Sequence, residues 1–344
     1  MSASNFDLVA LGNPLLDMQV TGAGAEETLK KYGLKPNDAI LAEEKHMPIY
    51  KEIADKYSIT YIAGGASQNA ARCAQYVLPP QSTAYFGCVG TDDLADQQRA
   101  ANDREGLRYV YQISDDAKTG SCAVVITGHD RSLCTNLGAA EKFSKSHLET
   151  SEAKALISKA KYFYMEGFFL THGLESAKVL AQHAQQNDQV FSVNLSAPFI
   201  PQFFSAQLDE ITALSSLVFG NESEAAAWAE SHKLSDTKNL EAIAQAIADS
   251  PSSISKPRTV IITHGAEPTI VATQGQKQPK TFPTAKVETI VDTNGAGDAF
   301  AGGVLGALIA GKGLDEAIDV GQKLGRMCIG QSGPVLKFPK EKVM

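Results

Sequence analysis

The sequence lacks the features that mark membrane-spanning, secreted and nucleic-acid-binding proteins. Its longest apolar stretch near the carboxyl terminus, residues 302–310, is too short for the roughly 20 residues that a membrane-spanning helix needs. No basic segment followed by an apolar one opens the chain, so no secretory signal is predicted. The chain has 31 Lys and Arg against 39 Asp and Glu, a net charge of −8, and no basic run. We therefore expect neither a membrane nor a nucleic acid among its partners.

Cysteine is scarce and scattered. No two cysteines have the Cys-x-x-Cys spacing, and no nearby histidine completes a zinc set. The five are Cys73, Cys88, Cys122, Cys134 and Cys328. We interpret them as small buried side chains in a reducing compartment, which predicts a cytoplasmic protein, with the nucleus as a second location.

Apolar runs of strand length alternate with helical segments along much of the chain, in which 43% of residues are apolar and 20% charged. Strands are predicted at residues 6–11, 83–89, 162–169, 190–195, 217–219 and 259–263, and helices at residues 174–186, 201–214 and 222–232. Strands that alternate with helices of about 10–15 residues indicate a parallel sheet with helices on both faces. We therefore predict an α/β protein, built as a three-layer α/β/α sandwich around a mostly parallel central sheet.

Two segments interrupt this alternation and predict a small α/β subdomain. Residues 17–63 end in a β-rich run, and residues 119–139 contain two β-rich runs around Gly128-His129-Asp130-Arg131. The second segment is typical of a β-hairpin, with strands at residues 122–127 and 132–135. We expect the two segments to form a lid that excludes water from the site. The large domain then comprises residues 1–16, 64–118 and 140–344.

The segment Asp292-Thr293-Asn294-Gly295-Ala296-Gly297-Asp298 carries the strongest functional signal. It precedes a predicted helix of small residues, and a glycine-rich turn that opens a helix directs backbone amides and the helix dipole at one point. Such a nest suits a phosphate or a phosphoryl group in transit. Asp298 lies within it, where an ionised carboxylate with an ordinary pKa of about 3.9 can accept a proton from a substrate hydroxyl. The alternative is a plain helix cap.

Three other nucleotide-binding signatures are absent from the sequence. The chain has no Gly-x-x-x-x-Gly-Lys-Ser/Thr, which excludes a P-loop NTPase. The pair Gly295 and Gly297 lacks the third glycine and the early strand of a dinucleotide fingerprint, which argues against a Rossmann dehydrogenase. His-Arg-Asp and Asp-Phe-Gly are also missing, which excludes a protein kinase.

Other polar or glycine-rich turns follow predicted strands, at the edge where an open α/β sheet binds ligands. Gly64 and Gly65 permit close approach of a ligand, and Asn69 offers it a donor and an acceptor. Asp17 ends the turn at residues 12–17 and suits a vicinal diol. A flexible connection and an ordinary turn carboxylate are the alternatives.

Charged and polar residues near other predicted strand ends are candidates for binding phosphate charge and Mg²⁺. Glu224 with Asn221 can orient waters on a magnesium ion, or can simply favour the helix dipole. Arg131 at the hairpin can reach a phosphate when the lid closes, or can remain a solvated arginine. Thr263 and Gly265 follow another predicted strand and extend the same crevice.

Together these segments resemble those of the ribokinase-like (PfkB) family of carbohydrate and nucleoside kinases, over residues 8–337. Residues 292–298 are similar to its carboxyl-terminal signature, Gly64-Gly65 with Asn69 to its amino-terminal one, and Asn221-x-x-Glu224 to its Asn-x-x-Glu motif. Within the family, three segments most resemble the members that phosphorylate adenosine. They are Gly12-Asn13-Pro14-Leu15-Leu16-Asp17, Asn194-Leu195-Ser196-Ala197-Pro198-Phe199 and Phe219-Gly220-Asn221-Glu222.

The resemblance implies a ribokinase-like fold and ATP-dependent phosphorylation of the 5′-hydroxyl of adenosine, with Mg²⁺ as cofactor, by a monomer. For the chemistry it implies Asp298 as the base, Gly295, Ala296 and Gly297 as the anion hole, and Arg131 as a stabiliser of the transferred charge. For the nucleoside it implies Asn13, Asp17, Gly64, Gly65, Asn69 and Asn294 around the ribose, and Leu16, Cys122, Leu133, Leu137 and Phe169 around the adenine. For ATP it implies Asn194, Asn221, Glu224, Thr263 and Gly265, with Glu224 holding the metal through water.

Two departures from the family pattern and two alternative functions accompany this hypothesis. Gln322 stands where many members have a histidine, near the base of ATP, and Ala66-Ser67 replaces a Ser-Thr pair. A sugar kinase acting on ribose or fructose is the nearest alternative, although an apolar base slot argues against it. A nucleoside-binding protein without catalysis is the other, although binding alone needs no base in the anion nest.

Overall fold

The computed structural model describes residues 6–36, 38–128 and 130–344, and in these ranges it shows two β-sheets. The strands are β1 Leu8–Leu11, β2 Leu15–Val20, β3 Ala39–Leu41, β4 Thr60–Ala63, β5 Thr83–Val89, β6 Arg108–Ile113, β7 Gly120–Thr127, β8 Asp130–Asn136, β9 Tyr162–Glu166, β10 Val190–Asn194, β11 Leu217–Asn221, β12 Thr259–His264, β13 Glu267–Thr273 and β14 Lys280–Phe282. His129, in the predicted hairpin turn, lies outside the described residues.

Helices occupy most of the remaining chain. They are α1 Ala23–Tyr32, α2 Pro48–Lys56, α3 Ala66–Val77, α4 Asp93–Glu105, α5 Lys145–Leu148, α6 Ser151–Ile157, α7 Leu174–Gln186, α8 Phe199–Phe203, α9 Ser205–Thr212, α10 Glu222–Ser231, α11 Leu240–Asp249, α12 Ala296–Ile309 and α13 Leu314–Ile329, with 3₁₀ turns at Glu44–His46, Gly138–Lys142 and Gly167–Thr171. Among the described residues, none of these helices has the length and apolarity to cross a membrane.

The larger sheet has the strand order β14-β13-β12-β11-β10-β9-β1-β5-β6. Neighbouring strands from β12 to β6 pair in parallel, and β13 and β14 add an antiparallel edge. The predicted mostly parallel central sheet is therefore confirmed. The carboxyl ends of its parallel strands meet at one edge, where loops collect around a ligand site.

Helices cover both faces of this sheet, as the central strand β1 shows. Leu8 and Ala10 pack into a core cluster that includes residues of α3, α12 and α13. Val9 and Leu11 point the other way, into a cluster with residues of α7 and α11. Successive strand side chains face opposite sides, so a strand with all four residues buried must lie between two apolar layers. This arrangement is the predicted three-layer sandwich.

The smaller sheet has the order β3-β8-β7-β2-β4 and comes largely from the two predicted insertions. β7 and β8 form the predicted antiparallel hairpin, and β2 joins them in parallel through β7. The sequence placed Leu15 and Leu16 in the large domain and Asp17 in a turn. Instead all three lie on β2, where Asp17 is opposite Cys122. Asp17 therefore has the rigid support of a strand.

Two predicted elements differ from the structure. The strand predicted at residues 162–169 ends at Glu166, because the amide of Gly167 donates to Ser196 Oγ at 2.7 Å instead of to a strand neighbour. The apolar run continues beyond this point because the following 3₁₀ turn is buried. The helix predicted at residues 201–214 is divided into α8 and α9, because Phe204 between them leaves helical geometry at φ −124° and ψ 29°.

Candidate active site

A cavity of about 410 Å³ opens between the two sheets, at the carboxyl-terminal edge of the central strands. Strands β2, β3, β7 and β8 of the smaller sheet supply one wall, and the residues that end β9 to β12 supply the other, with the start of α12. The structure brings most of the predicted residues to this cavity: Asp17, Gly65, Asn69, Cys122, Arg131, Leu133, Asn194, Asn221, Glu224, Thr263, Asn294, Gly295, Ala296, Gly297 and Asp298.

Asp298 lies in the first turn of α12, in the predicted anion nest. Gly295 immediately precedes the helix, with φ 76° and no side-chain cap, and Ala296 and Gly297 follow it on the cavity wall. The carboxylate accepts a hydrogen bond from Asn69 Nδ2 at 2.9 Å. Asp298 thus lies on the cavity wall, where Asn69 of α3 holds its carboxylate.

The pKa of Asp298 differs from the sequence-based expectation of an ordinary value. Burial raises it from 3.8 to about 6, while the hydrogen bond from Asn69 and the charge of Arg72 act in the opposite direction. The buried carboxylate is less hydrated than it would be in water, and this loss of hydration destabilises its charged form. At pH 7 the ionised form of Asp298 still predominates, so the group remains able to accept a proton.

Asp17 occupies the opposite wall, on β2. Asn294 Nδ2 donates to Asp17 Oδ2 at 3.3 Å, which links the smaller sheet to the anion nest. A β-carbon added to Gly64 would lie 2.6 Å from Asp17 Oδ1, so only glycine permits this approach. Burial raises the pKa of Asp17 to about 7. Gly64 itself does not line the cavity, and its lack of a side chain leaves room for the Asp17 carboxylate.

The turn that contains Gly65 depends on a missing side chain. Gly65 has φ 89°, and a β-carbon there would lie 2.2 Å from the carbonyl oxygen of Asn13. Gly275 has a similar φ of 76° but has no atom within 4 Å of such a carbon. Both glycines therefore have a positive φ, but only at Gly65 would a β-carbon clash with a neighbouring atom.

We expect Gly65→Ala to destabilise the protein far more than Gly275→Ala. Both substitutions carry the cost of a positive φ for alanine, about 1–2 kcal/mol, and only Gly65→Ala adds a clash with the Asn13 carbonyl. Thermal unfolding of the two variants measures the difference. Equal decreases in Tm would contradict the close approach of Gly65 to the Asn13 carbonyl.

Arg131 is placed differently from a solvated arginine at a hairpin tip. It lies on β8 with its side chain buried, and its Nε donates to Asp292 Oδ1 at 2.8 Å. Asp292 also accepts the amides of Asn294 and Gly333, at 2.8 and 2.9 Å. The ion pair connects the smaller sheet to the segment that precedes α12. Arg131 therefore lines the cavity while its guanidinium contacts a carboxylate of the protein.

Asn221 and Glu224 form a capping box at the start of α10. Asn221 Oδ1 accepts the amide of Glu224, and the Glu224 carboxylate accepts the Asn221 amide and Nδ2 at 2.9 and 2.8 Å. The sequence offered metal binding and a helix-terminal role as alternatives; the geometry shows a helix cap, and metal binding through water stays a prediction. Glu224 still lines the cavity, and burial raises its pKa to about 7. Among the described residues, no cluster of His, Cys, Asp and Glu side chains has the arrangement of a metal site.

The apolar part of the cavity is shifted by one residue at two positions. Cys122 and Leu133 line it as predicted, but Leu15 and Phe168 occupy the wall in place of Leu16 and Phe169. Leu15 and Asp17 share one face of β2 because strand side chains alternate, and Leu16 faces the other way. The predictions that Leu16 and Phe169 line the cavity were therefore each wrong by one residue.

Phe169 is fully buried in the core of the large domain. Its ring contacts the rings of Phe143 and His172, and it lies so close to Gly173 that a β-carbon there would be 2.2 Å away. Other predicted residues also lie off the cavity. Asn13 and Leu137 are buried, and Gly265 lies in the turn after β12.

Glu166 was missed by the sequence analysis and lies on the cavity wall at the end of β9. Its carboxylate accepts the amide of Asn13 at 2.8 Å and the amide of Ser67 at 2.6 Å, so it joins the loop after β1 to the start of α3. Burial raises its pKa to about 7. A single acidic residue at the end of an apolar strand was the available signal, because such a group needs partners when it is buried.

The comparisons with known proteins agree with this geometry. A family model described as "pfkB family carbohydrate kinase" matches residues 26–341. The chain is 50% identical to the adenosine kinase of Schizophyllum commune over 99% of this chain and 100% of that protein. It is 46% identical to the adenosine kinase of Schizosaccharomyces pombe over 98% of each chain.

Solved structures give the same result. Anopheles gambiae adenosine kinase in complex with P1,P4-di(adenosine-5) tetraphosphate superposes with a TM-score of 0.91 at 42% identity, over 94% of this chain and 96% of that one. Schistosoma mansoni adenosine kinase in complex with adenosine and AMP superposes with a TM-score of 0.91 at 36% identity, over 97% and 98%. The resemblance noted in the sequence is confirmed. The chain therefore belongs to the pfkB family of carbohydrate kinases and, within it, to the adenosine kinases.

Proposed function

We propose that the protein transfers the γ-phosphoryl group of ATP to the 5′-hydroxyl of adenosine, giving AMP and ADP, a reaction of purine salvage. The observation that carries this proposal is the position of Asp298, a cavity carboxylate in the first turn of α12 beside the amides of Gly295 and Gly297. Adenosine and AMP, the substrate and product of this reaction, occupy a related kinase at 36% identity.

The reaction needs positioning and charge stabilisation more than a strong base, because phosphoryl transfer has a loose transition state. The adenosine 5′-oxygen attacks the γ-phosphorus, and the bond between that phosphorus and the β–γ bridging oxygen breaks. The 5′-hydroxyl proton moves to Asp298. The amides at the start of α12 stabilise the charge on the transferred group.

The side chains that line the cavity suit both halves of adenosine. Asp17 can accept hydrogen bonds from both the 2′- and 3′-hydroxyls, and Asn69 on α3 lines the same cavity. Leu15, Leu133 and Phe168 supply apolar surface for the adenine. A bare sugar would leave that surface uncovered, which favours a nucleoside over ribose or fructose.

Mg²⁺ belongs to the proposal as the partner of the ATP phosphates. The Glu224 carboxylate on the cavity wall fits a hydrated magnesium ion, because each of its oxygens accepts one hydrogen bond from Asn221 and can still accept another from a water of the ion. When bound, the ion would neutralise phosphate charge. Arg131 would add to this stabilisation if it exchanged Asp292 for the transferred phosphate.

A coupled assay for ADP tests the proposed reaction. Adenosine, inosine, ribose and fructose are offered separately with Mg-ATP. We expect turnover with adenosine and little with the two sugars. Turnover with ribose or fructose alone would support the sugar-kinase alternative, and tight adenosine binding without ADP release would support a binding protein.

We also propose a monomer in the cytoplasm. The five cysteines, all within the described ranges, are free and buried, which is compatible with a reducing compartment. Sedimentation of the purified protein tests the monomer, and imaging of a tagged protein tests the location.

Acid should weaken the enzyme in two separable ways. Asp298, with a pKa of about 6, loses its ability to accept a proton as the pH falls, so kcat should decline below about pH 6. Asp17, with a pKa of about 7, loses an acceptor for the ribose hydroxyls, so adenosine affinity should weaken below about pH 7. Both groups are active when ionised, so both effects grow as the pH decreases.

Measurements of kcat and of the Kd for adenosine between about pH 5 and about pH 8 check these two predictions. A kcat that does not change across this range would contradict the assignment of Asp298 as the base. An unchanged Kd would contradict the contact between an ionised Asp17 and the ribose.

A further inference from the structure

Arg72 is a buried cation that the proposed reaction does not use. It lies on α3, its side chain is 2% exposed, and it follows Asn69 by three residues. Residues at this spacing lie on the same face of a helix. Its Nε is 3.4 Å from Glu105 Oε2, and its Nη2 donates to the carbonyl of Ala63 at 2.7 Å. Glu105 and Ala63 therefore hold the guanidinium in place independently of its contact with the active site.

The same Nη2 donates to Asn69 Oδ1 at 2.6 Å. The other end of this amide, Asn69 Nδ2, donates to Asp298 Oδ2 at 2.9 Å. A reversed amide would point its NH₂ group at the guanidinium and its oxygen at the carboxylate, and both contacts would be repulsive. The contacts with Arg72 and with Asp298 thus favour the same orientation of the Asn69 amide.

We infer that Arg72 is a positioning residue for catalysis, which fixes the Asn69 amide so that Asp298 presents its carboxylate to the 5′-hydroxyl of the bound nucleoside. This inference rests on the proposed function. Arg72 acts through Asn69 and does not line the cavity. Ala63 ends β4 of the smaller sheet, so the same guanidinium also joins that sheet to α3.

Several titratable groups surround Asp298, and their arrangement decides how a variant would respond to pH. They are Asp17 on β2, Cys73 on α3, Tyr164 and Glu166 on β9, Glu224 on α10 and Cys328 on α13, with Asp292 on the preceding loop paired to Arg131 of β8. Arg72 is the cation that lowers the pKa of Asp298. Loss of Arg72 should therefore move the acid limb of kcat to higher pH.

The test is a double-mutant cycle between Arg72 and Asn69. We expect Arg72→Met to lower kcat by about 10- to 100-fold, because a small displacement of a reacting group has effects of this size. If Arg72 acts through Asn69, then Arg72→Met should have almost no further effect on kcat in an Asn69→Ala background. Multiplicative effects of the two substitutions would overturn the inference.

Arg72→Lys separates position from charge. Lysine keeps the cation but has a shorter side chain that does not place a donor where Nη2 lies, between the Ala63 carbonyl and the Asn69 amide oxygen. The acid limb should therefore stay near that of the wild type while kcat remains reduced. Full recovery of kcat would show that charge alone matters and would overturn the positioning role. If Arg72→Met does not fold, the cycle of Arg72→Lys with Asn69→Ala answers the same question.

Arg104→Gln is the matched control. Arg104 pairs with the same Glu105 at 3.3 Å, is 67% exposed and makes no contact with Asn69. Its loss removes one positive charge and should leave kcat and its pH profile unchanged; an effect equal to that of Arg72→Met would overturn the inference. The wild-type assay with adenosine is run first. An inactive wild type refutes the proposed function, whereas an active wild type with unaffected Arg72 variants refutes only this inference.

Discussion

Asp298→Asn is expected to lower kcat by about 10²- to 10⁴-fold, the contribution typical of a positioned general base. The amide has the same shape as the carboxylate but does not take up the 5′-hydroxyl proton. The backbone amides of Gly295 and Gly297 remain in place, so residual turnover should come from positioning and charge stabilisation. The Kd for adenosine should change little, because the ribose and adenine contacts lie elsewhere in the cavity.

Asp315→Asn is the matched control for this substitution. Asp315 also lies in the first turn of a helix, α13, but its side chain is 67% exposed and contacts Lys280 on the surface. We expect wild-type kcat from this variant. Near-normal turnover by Asp298→Asn, measured under saturating adenosine and Mg-ATP, would remove the role assigned to Asp298.

Asp17→Asn is expected to weaken adenosine binding by about 10- to 100-fold, the cost of losing hydrogen bonds to a charged acceptor. An asparagine oxygen can accept from one hydroxyl, but its NH₂ group meets the other donor unfavourably. The loss should appear in Kd and KM for adenosine, with a smaller effect on kcat. Calorimetric titration of both proteins with adenosine measures it.

Deoxynucleosides show whether the affinity lost in Asp17→Asn comes from hydrogen bonds to the ribose hydroxyls. Wild-type protein should bind 2′-deoxyadenosine and 3′-deoxyadenosine more weakly than adenosine, and Asp17→Asn should discriminate less among the three. Equal discrimination by both proteins would contradict the diol contact.

Stability provides an independent control for Asp17→Asn. Burial raises the pKa of Asp17 in the folded protein from 3.8 to about 7, so the folded state holds a proton that the unfolded state releases. The stabilisation that this provides is lost as the pH rises from about 4 to about 7. Above pH 7 asparagine removes a buried charge, and the unliganded variant should be at least as stable as the wild type. A strongly lowered Tm would instead indicate misfolding.

Much of the fold was predictable because its signals are local. The helix predicted at residues 174–186 is α7, and the strand predicted at residues 83–89 is β5. The anion nest was predictable for the same reason, because Gly295 and Asp298 belong to one turn and its helix. The backbone amides that converge at a helix start come from consecutive residues, so their position follows from the local sequence.

The apolar slot was not predictable to the residue. Leu15 and Leu16 are adjacent and chemically identical, and only the pairing of β2 with β7 decides which of them faces the cavity. Phe168 and Phe169 present the same problem in a 3₁₀ turn. A shift of one residue in the assignment turns the side chain from the cavity to the opposite side, and no local property of the sequence shows which residue of the pair faces the cavity.

Contacts between distant segments also escaped the sequence analysis. The raised pKa of Asp298 and the ion pair between Arg131 and Asp292 arise from groups that meet only in the folded chain. Glu166 joins the loop of Asn13 to Ser67 in the first turn of α3, although Asn13 and Ser67 are far apart in sequence. Charge and burial at such points depend on tertiary packing, which motif spacing does not describe.

The distance between Asp298 and the 5′-oxygen of bound adenosine tests the central claim most directly. A crystal structure of the adenosine complex measures it. The account predicts a carboxylate oxygen within about 2.6–3.2 Å of the 5′-oxygen, the reach of a general base. A complex in which the 5′-oxygen points away from α12, with Asp298 bonded only to protein groups, would contradict it.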